Sequence, residues 1–277
     1  GQALRQVLEP IGSVRGGSLA SSPDFRSLIT MPDYSIVIPA YDEELLLPST
    51  LVALGEAMTG ISLEGEIIVV DNNSSDATAE VARAAGAHVV FEPVNRISTA
   101  RNAGAKVARG KWLVFVDADT LVPAALLRQA MDALGGGEIG GGGAWIRFDH
   151  EVRGSVASML RCWNRLSRFF KVAAGSFIFC RRDGFTEVGG FSEKVYAGEE
   201  VFFSNRYKRW CRRQGLTFTI LEHPPVVTSA RKIEWHSPFT QASVVILPIL
   251  FPFLLCSRSF CSFWYKRPKA KRKSPEN

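Results

Sequence analysis

Two acidic residues at the end of a short apolar run are the side chains best suited to chemistry. Asp117 and Asp119 directly follow the run Trp112–Val116. A buried strand can carry acids only where it leaves the sheet, because unpaired charge is costly in an apolar environment. Carboxylate oxygens there can bind a divalent cation, which can in turn hold a substrate diphosphate. The alternative is an acidic turn that caps a helix starting near Pro123.

Polar residues also end the two earlier apolar runs. Tyr41 comes soon after Pro39, which stops the first run, and Asp71 ends the run Glu66–Asp71. In an open α/β sheet, ligands bind outside the carboxyl ends of the strands. The Tyr41 ring can pack on a nucleobase there, and the Asp71 carboxylate can accept hydrogen bonds from a base or ribose. The alternative for Asp71 is a helix N-cap.

Three further polar positions come later in the chain. Arg101 lies in the first turn of a predicted helix. Its guanidinium group can bind phosphate or base oxygens, and the alternative is that it is a solvated charge on the helix surface. Glu199 and Glu200 open another predicted helix, and the helix dipole alone would favour acids there. His236 follows Trp235, and a lone histidine in that setting is either packed, exposed or a metal ligand.

The elements that must position these residues alternate regularly as far as Leu134. Because strand and helix patterns alternate four times with short connections, the sequence predicts a parallel, doubly wound α/β sheet. The predicted strands are 34–39, 66–71, 88–91 and 112–116, and the predicted helices are 43–58, 77–85, 99–109 and 123–134.

After Leu134 the pattern is less regular. Seven of the nine residues in Gly135–Gly143 are glycine, which predicts a mobile or tightly turned segment. Further strands are predicted at 144–148, 175–180, 216–221 and 226–229, further helices at 152–172 and 199–214, and a turn-rich connector at 183–191.

Composition narrows the class of protein. With 277 residues and 46% apolar content, the chain can bury one substantial core. The net charge is +6, but Lys266–Asn277 carries most of the excess, which argues against a nucleic-acid-binding body. The five cysteines form no paired motif and indicate a reducing compartment. Since residues 1–33 lack an apolar run of signal-peptide length, the cytosol is the predicted location.

The C-terminal region predicts contact with a membrane surface. Val244–Cys256 is apolar throughout, yet it is shorter than the ~20 residues that a spanning helix needs. Aromatic residues and a polybasic tail follow, a combination typical of an anchor on an anionic leaflet. The protein would then lie at the cytoplasmic face of a membrane. A helix packed on the catalytic domain and a dimer contact are the alternatives.

Taken together, the motifs resemble family 2 glycosyltransferases of the GT-A fold. The pieces that carry the resemblance are SIVIPAYDEE (35–44), IIVVDNNSSDAT (67–78), ARNAGAKVARG (100–110), WLVFVDADT (112–120), GGF (189–191) and GEEVFFSNR (198–206). The resemblance implies a Rossmann-like, mostly parallel open sheet flanked by helices. The resemblance covers about residues 34–232 and implies a catalytic domain, placed at 34–235, with nucleotide-binding and acceptor halves meeting at 120/121. Composition predicts a leader at 1–33 and an apolar helix with a basic tail at 236–277, which are less typical of the family.

The resemblance further implies an activity and residue roles. The activity is metal-dependent, inverting transfer of a sugar from a nucleoside diphosphate, UDP favoured over GDP, to a hydroxyl acceptor. The predicted membrane contact adds the hypothesis that this acceptor is lipid-linked or a glycan precursor. Asp117 contacts the nucleotide sugar, Asp119 binds Mn²⁺ or Mg²⁺ and His236 is a third ligand. Glu200 is the catalytic base beside Glu199, although the family usually has Asp at that place. The implied nucleotide-binding residues are Pro39, Ala40, Tyr41, Glu43, Asp71, Arg101, Asp117, Ala118 and Asp119.

Two other functions remain open at this point. A nucleotidyltransferase also places carboxylates at strand ends, but it would normally show a glycine-rich, basic loop after the first strand, where this chain has IPAYDEE. A catalytically degenerate protein that only binds sugar nucleotides would keep the same motifs without turnover.

Overall fold

The computed structural model describes residues 31–231 and 252–261, which form an eight-stranded sheet flanked by helices. The strands are β1 (Tyr34–Ala40), β2 (Gly65–Asp71), β3 (His88–Phe91), β4 (Trp112–Val116), β5 (Thr120–Leu121), β6 (Ile139–Phe148), β7 (Phe177–Arg181) and β8 (Thr217–Thr228). The helices are α1 (Leu47–Thr59), α2 (Thr78–Ala84), α3 (Ile97–Val107), α4 (Ala124–Gly135), α5 (Gly154–Phe170), α6 (Arg182–Glu187) and α7 (Glu199–Arg213).

The order of the strands explains where a ligand can bind. The sheet runs β3-β2-β1-β4-β7-β6-β8-β5, and its first four strands are parallel. The chain moves outward from β1 to β3 and then returns to place β4 on the other side of β1. Such a reversal opens a crevice at the carboxyl ends of the two central strands. The predicted mostly parallel α/β sheet flanked by helices is confirmed.

The second half of the sheet is mixed. Strand β7 pairs antiparallel with both β4 and β6, β8 is parallel to β6, and β5 is antiparallel to β8. The two predicted strands at 216–221 and 226–229 form the single strand β8, which passes an irregularity in its pairing with β6 near Ala144. Within the predicted connector, the structure places the short helix α6.

Two apolar layers enclose the sheet. Alternate residues of β1 point into opposite layers: Ile36 packs with α1 and α4, and Val37 packs with α3. All seven residues of β1 and all five of β4 are buried. This burial on both faces explains why the two strands read as continuous apolar runs.

The glycine-rich segment is a strand from Ile139 onward, so the prediction of a mobile or tightly turned segment at Gly135–Gly143 is wrong for that part. The residues before it, 136–138, do form a turn, in which Gly137 has a φ of 85°. Gly140–Gly143 lie buried in β6 between β7 and β8. A Cβ atom on Gly142 would overlap the carbonyl oxygen of Thr219, and one on Gly143 would lie 2.6 Å from the Cβ of Ala173. Glycine is required here because of close packing rather than backbone freedom.

Part of the C-terminal prediction can be compared with the structure. Residues 252–261 contain a short 3₁₀ helix, Pro252–Cys256. Asp33, which the predicted leader includes, is described; residues 1–30, 232–251 and 262–277, including His236, the rest of the predicted apolar helix and the basic tail, lie outside the described residues. Within the described part of the chain, no helix is both long enough and apolar enough to cross a bilayer.

Candidate active site

The predicted site residues lie at the carboxyl ends of the central strands. Asp71 is the last residue of β2 and pairs in register with Ala40, the last residue of β1. Asp117 and Asp119 follow β4, which is the other neighbour of β1. The point at which the strand order reverses therefore has acidic residues on both sides.

Arg101 joins two of the acids in the interior. Its side chain is 1% exposed, and it donates from Nη1 to Glu199 Oε1 at 2.5 Å and from Nη2 to Asp117 Oδ1 at 2.9 Å. Nη2 also donates to the carbonyl oxygen of Gly175 at 3.0 Å. Burial disfavours its positive charge, but Asp117 and Glu199 outweigh that effect and raise the pKa of Arg101. The alternative of a solvated helix charge is therefore wrong.

The two acids at the start of α7 have different surroundings. Glu199 is buried against Arg101, and burial raises its pKa although Arg101 opposes the shift. Glu200 is partly exposed, and burial together with the charge of Glu199 raises its pKa to about 8. Among the described residues, no cation forms an ion pair with Glu200. Glu199 is thus enclosed and paired, whereas Glu200 is partly exposed to solvent.

Asp119 is part of a second ion-paired group. Arg231, just beyond β8, forms an ion pair with Glu43 and lies with Nη2 3.4 Å from Asp119 Oδ2. Backbone contacts fix this arrangement, since Ser229 N donates to Asp119 O at 3.2 Å next to the β5–β8 pairing. The pKa of Arg231 is raised, because Glu43 and Asp119 outweigh its burial.

The loops after β1 and β2 are tied to each other. Asp42 N donates to Ser74 Oγ at 3.0 Å, and Glu43 N donates to Thr78 Oγ1 at 2.7 Å. Asp71 accepts a hydrogen bond at Oδ1 from Ser74 N, so one of its carboxylate oxygens stabilises its own turn. These contacts hold Asp71 and Glu43 on the same side of the crevice.

The remaining predicted nucleotide-binding residues lie at the ends of β1 and β4, next to these loops. Pro39 and Ala40 are buried in β1, whereas Tyr41 is partly exposed just beyond it. Ala118 is buried between the two aspartates, and its carbonyl oxygen accepts a hydrogen bond from Thr50 Oγ1 of α1 at 2.9 Å. A side chain of α1 therefore fixes the Asp117–Asp119 turn in place.

Sequence reasoning did not find two contacts that shape the site. Gly175, just before β7, binds Arg101 through its carbonyl oxygen. The segment after Pro252 packs against the residues just before α7, where Leu255 O accepts a hydrogen bond from Tyr196 N at 2.7 Å. A backbone carbonyl leaves no signal in residue type. The C-terminal segment was predicted to contact a membrane, with packing on the catalytic domain as one alternative, and neither interpretation named a partner for Leu255.

The acids at the crevice fit a divalent cation of the Mg²⁺ type. Among the described residues, no three His, Cys, Asp or Glu side chains form a complete metal-binding cluster. A small hard cation needs only one or two protein carboxylates when phosphate and water complete its shell. Asp119 offers such a carboxylate at the crevice, beside Asp117, so the donor chemistry fits.

Solved structures with the same architecture define the class of fold. Mannosyltransferase PcManGT from Pyrobaculum calidifontis, in complex with GDP-Man and Mn²⁺, aligns over 87% of this chain and 66% of its own, with a TM-score of 0.60 and 18% identity. Glucosyl-3-phosphoglycerate synthase from Mycobacterium tuberculosis, in complex with Mn²⁺, UDP-glucose and phosphoglyceric acid, aligns over 86% and 81%, with a TM-score of 0.56 and 18% identity. The fold is that of the GT-A glycosyltransferases.

Sequence comparison places the chain within that class. The family model described as Glycosyl transferase family 2 matches residues 35–185. The chain belongs to this family. The glycosyltransferase AglE of Haloferax volcanii is 25% identical over 188 residues, which are 64% of this chain and 62% of that protein. The chain spans less than two thirds of the length of such curated relatives.

Proposed function

We propose that the protein is an inverting, metal-dependent glycosyltransferase. It transfers a sugar from a nucleoside-diphosphate donor to a hydroxyl group of an acceptor. The single observation that carries this proposal is the bridge formed by Arg101, which holds Asp117 and Glu199 within one buried ion-paired group. Through that bridge, the donor side of the crevice and the start of α7, where Glu200 lies, belong to one site.

Glu200 is the general base in this proposal. Its pKa of about 8 makes its carboxylate a stronger base than an ordinary glutamate near neutral pH. The acceptor oxygen forms a bond to the anomeric carbon as its proton passes to Glu200. The bond from that carbon to the diphosphate breaks, and the nucleoside diphosphate leaves with the electron pair. One base and one displacement step give inversion at the anomeric carbon.

Glu199 and Arg101 position this base rather than take the proton. Because Glu199 is already bonded to Arg101, it fixes the first turn of α7 and leaves Glu200 as the acid of that turn that takes the proton. Asp71 and Tyr41 bind the nucleoside, together with Pro39 and Ala40.

Asp119, with Asp117 beside it, would hold Mn²⁺ or Mg²⁺ in this proposal. A bound divalent cation supplies Lewis-acid stabilisation of the negative charge that develops on the diphosphate. His236 stays a predicted additional ligand outside the described residues. Arg231 and Glu43 line the same side, where Arg231 can pair with a diphosphate in place of Asp119.

The donor in this proposal is a nucleoside-diphosphate sugar. Of the two aligned structures, one holds GDP-Man and the other UDP-glucose, so the fold accommodates either base. We favour a UDP-sugar. The glucosyl-3-phosphoglycerate synthase complex also contains phosphoglyceric acid.

Donor turnover in the presence of Mn²⁺ tests the proposal. We expect the wild-type protein to release nucleoside diphosphate from a UDP- or GDP-sugar. Asp119→Asn and Glu200→Gln should each lower the rate by about 10²-fold or more, as is usual when an acid–base group or charge stabiliser is removed.

Matched controls for these variants lie on exposed helix surfaces. Glu80 occupies the first turn of α2 as Glu200 does that of α7, and Asp132 is an exposed residue of α4. Glu80→Gln and Asp132→Asn should leave the rate unchanged. Donor binding without any turnover would instead support a degenerate sugar-nucleotide-binding protein, and turnover that survives both site substitutions would refute the assigned roles.

A further inference from the structure

Helix α5 exposes an apolar surface near its C-terminal end. Leu166, Phe169 and Phe170 are 46%, 80% and 57% exposed, and the two phenylalanine rings contact each other edge to face at 5.0 Å. Single exposed apolar residues are common, but a contiguous group of large ones marks an interaction surface. The three side chains therefore call for a partner with an apolar region.

Basic residues flank this apolar surface along the same helix. Arg161 and Arg165 are exposed and one helical turn apart, so they lie on one side of α5, next to the apolar side chains. Lys171 ends the helix in a left-handed conformation and is exposed. The segment 152–171 contains no acidic residue. We call Arg161, Arg165, Leu166, Phe169, Phe170 and Lys171 the α5 patch.

Helix α7 adds positive charge next to the α5 patch. Lys208 donates a hydrogen bond from Nζ to the carbonyl oxygen of Phe170 at 2.6 Å. Burial and the nearby positive charges of Arg212 and Lys171 lower the pKa of Lys208. Cations from two helices thus surround the exposed pair of rings.

We propose that the α5 patch docks the protein on an anionic lipid bilayer. The occupant must combine negative charge with an apolar interior directly beneath it, since the cations and the apolar side chains lie side by side over the last three turns of α5. A bilayer with acidic headgroups has that order of layers: the rings enter the acyl boundary while the arginines and lysines stay with the phosphates. The patch lies outside the basic tail of residues 266–277, so it is a separate determinant of binding.

The α5 patch lies near the candidate active site along the chain. The chain passes from Phe170 through only a few residues to Gly175, whose carbonyl oxygen binds Arg101. A bilayer at the α5 patch would therefore lie close to the acceptor side of the crevice. This consequence rests on the proposed function and implies a membrane-embedded acceptor with its hydroxyl at the headgroup level. The docking itself does not depend on turnover.

Sedimentation of the full chain with lipid vesicles tests the docking without donor or acceptor. We expect the wild-type protein to bind vesicles of phosphatidylcholine mixed with phosphatidylglycerol far better than vesicles of phosphatidylcholine alone. The double variant Phe169→Ser/Phe170→Ser should bind the anionic vesicles about tenfold or more weakly, because two aromatic side chains no longer leave water. Arg161→Gln and Arg165→Gln should each weaken binding about fivefold, and added salt should reduce that difference.

Phe91→Ser is the matched control, because Phe91 is 60% exposed at the end of β3, on the opposite edge of the sheet. It should bind vesicles like the wild-type protein. Thermal unfolding should be the same for all variants, since the replaced rings lie outside the core. If the double variant binds as tightly as wild type, another part of the chain carries the binding and the proposal is wrong. The proposal is also wrong if the wild-type protein does not bind anionic vesicles.

Discussion

Arg101 illustrates how one buried cation can assemble a site from distant parts of a chain. It compensates two carboxylates separated by 82 positions, Asp117 and Glu199. Burying an ion pair is costly, but removing one partner of a buried pair is costlier still, because the other charge stays uncompensated. Arg101 therefore has a structural role in addition to the positioning role that we propose for it.

Replacing Arg101 should strongly destabilise the fold. We expect Arg101→Ala to lower the free energy of unfolding by about 3–5 kcal/mol, the usual cost of breaking a buried ion pair, as measured by urea denaturation. Arg83→Ala is the control, because Arg83 forms an exposed pair with Glu80 on α2 and such pairs contribute under about 1 kcal/mol. Equal effects of the two substitutions would contradict the role given to Arg101.

Glu200 should make both activity and stability depend on pH. Its pKa is about 8 in the folded protein, compared with 4.5 for an ordinary glutamate. The folded state therefore holds a proton that the unfolded state has lost, so wild-type stability should fall as pH rises from about 5 to about 8. Activity should rise over the same interval, because the base must be ionised.

Glu200→Gln separates these two effects. The variant should be inactive, yet at pH 9 it should be measurably more stable than wild type, because wild type then carries a partly buried charge beside Glu199, while the two should be nearly equal at pH 4. Thermal unfolding measured across this pH range provides the comparison. A constant difference in stability at every pH would show that Glu200 titrates normally in the folded protein.

The strand β6 shows at the level of elements what the sequence could not reveal. The apolar runs of β1, β2 and β4 were predicted within a residue or two, because burial on both faces leaves an unmistakable pattern. Glycines carry no side chain whose periodicity could mark a strand. Glycine is required at Gly140–Gly143 because the neighbouring strands and side chains approach the backbone closely. That close approach depends on the assembled sheet and cannot be predicted from the local sequence.

Two glycine substitutions test this account of β6. Gly142→Ala should destabilise the protein by about 2 kcal/mol or more, because its Cβ would overlap Thr219 O and the ring of Phe179. Gly55→Ala in α1 should instead stabilise it by about 0.5–1 kcal/mol, because no atom lies within 4 Å of the added methyl group and alanine favours a helix. Denaturant unfolding gives the free energy of unfolding of both variants and of wild type. If Gly142→Ala is as stable as wild type, the packing argument is wrong.

At the scale of the whole molecule, the reversal of strand order beside β1 determines where the chemistry is located. The sequence predicted that acids end the strands, and so it located Asp71, Asp117 and Asp119 at one sheet edge. It could not predict that Arg101 would be enclosed by acids or that Glu43 would pair with Arg231. Those contacts depend on the mixed second half of the sheet, which brings the end of β8 and the start of α7 back to the crevice.

The central claim is that these acids form one site for a sugar nucleotide and a divalent cation. Anomalous X-ray scattering from crystals grown with UDP and Mn²⁺ tests it most directly. We predict a manganese peak in contact with a carboxylate oxygen of Asp119 and with the diphosphate, the uridine beside Asp71 and Glu200 facing the same space. A manganese peak away from Asp119, or UDP bound elsewhere on the protein, would contradict the claim.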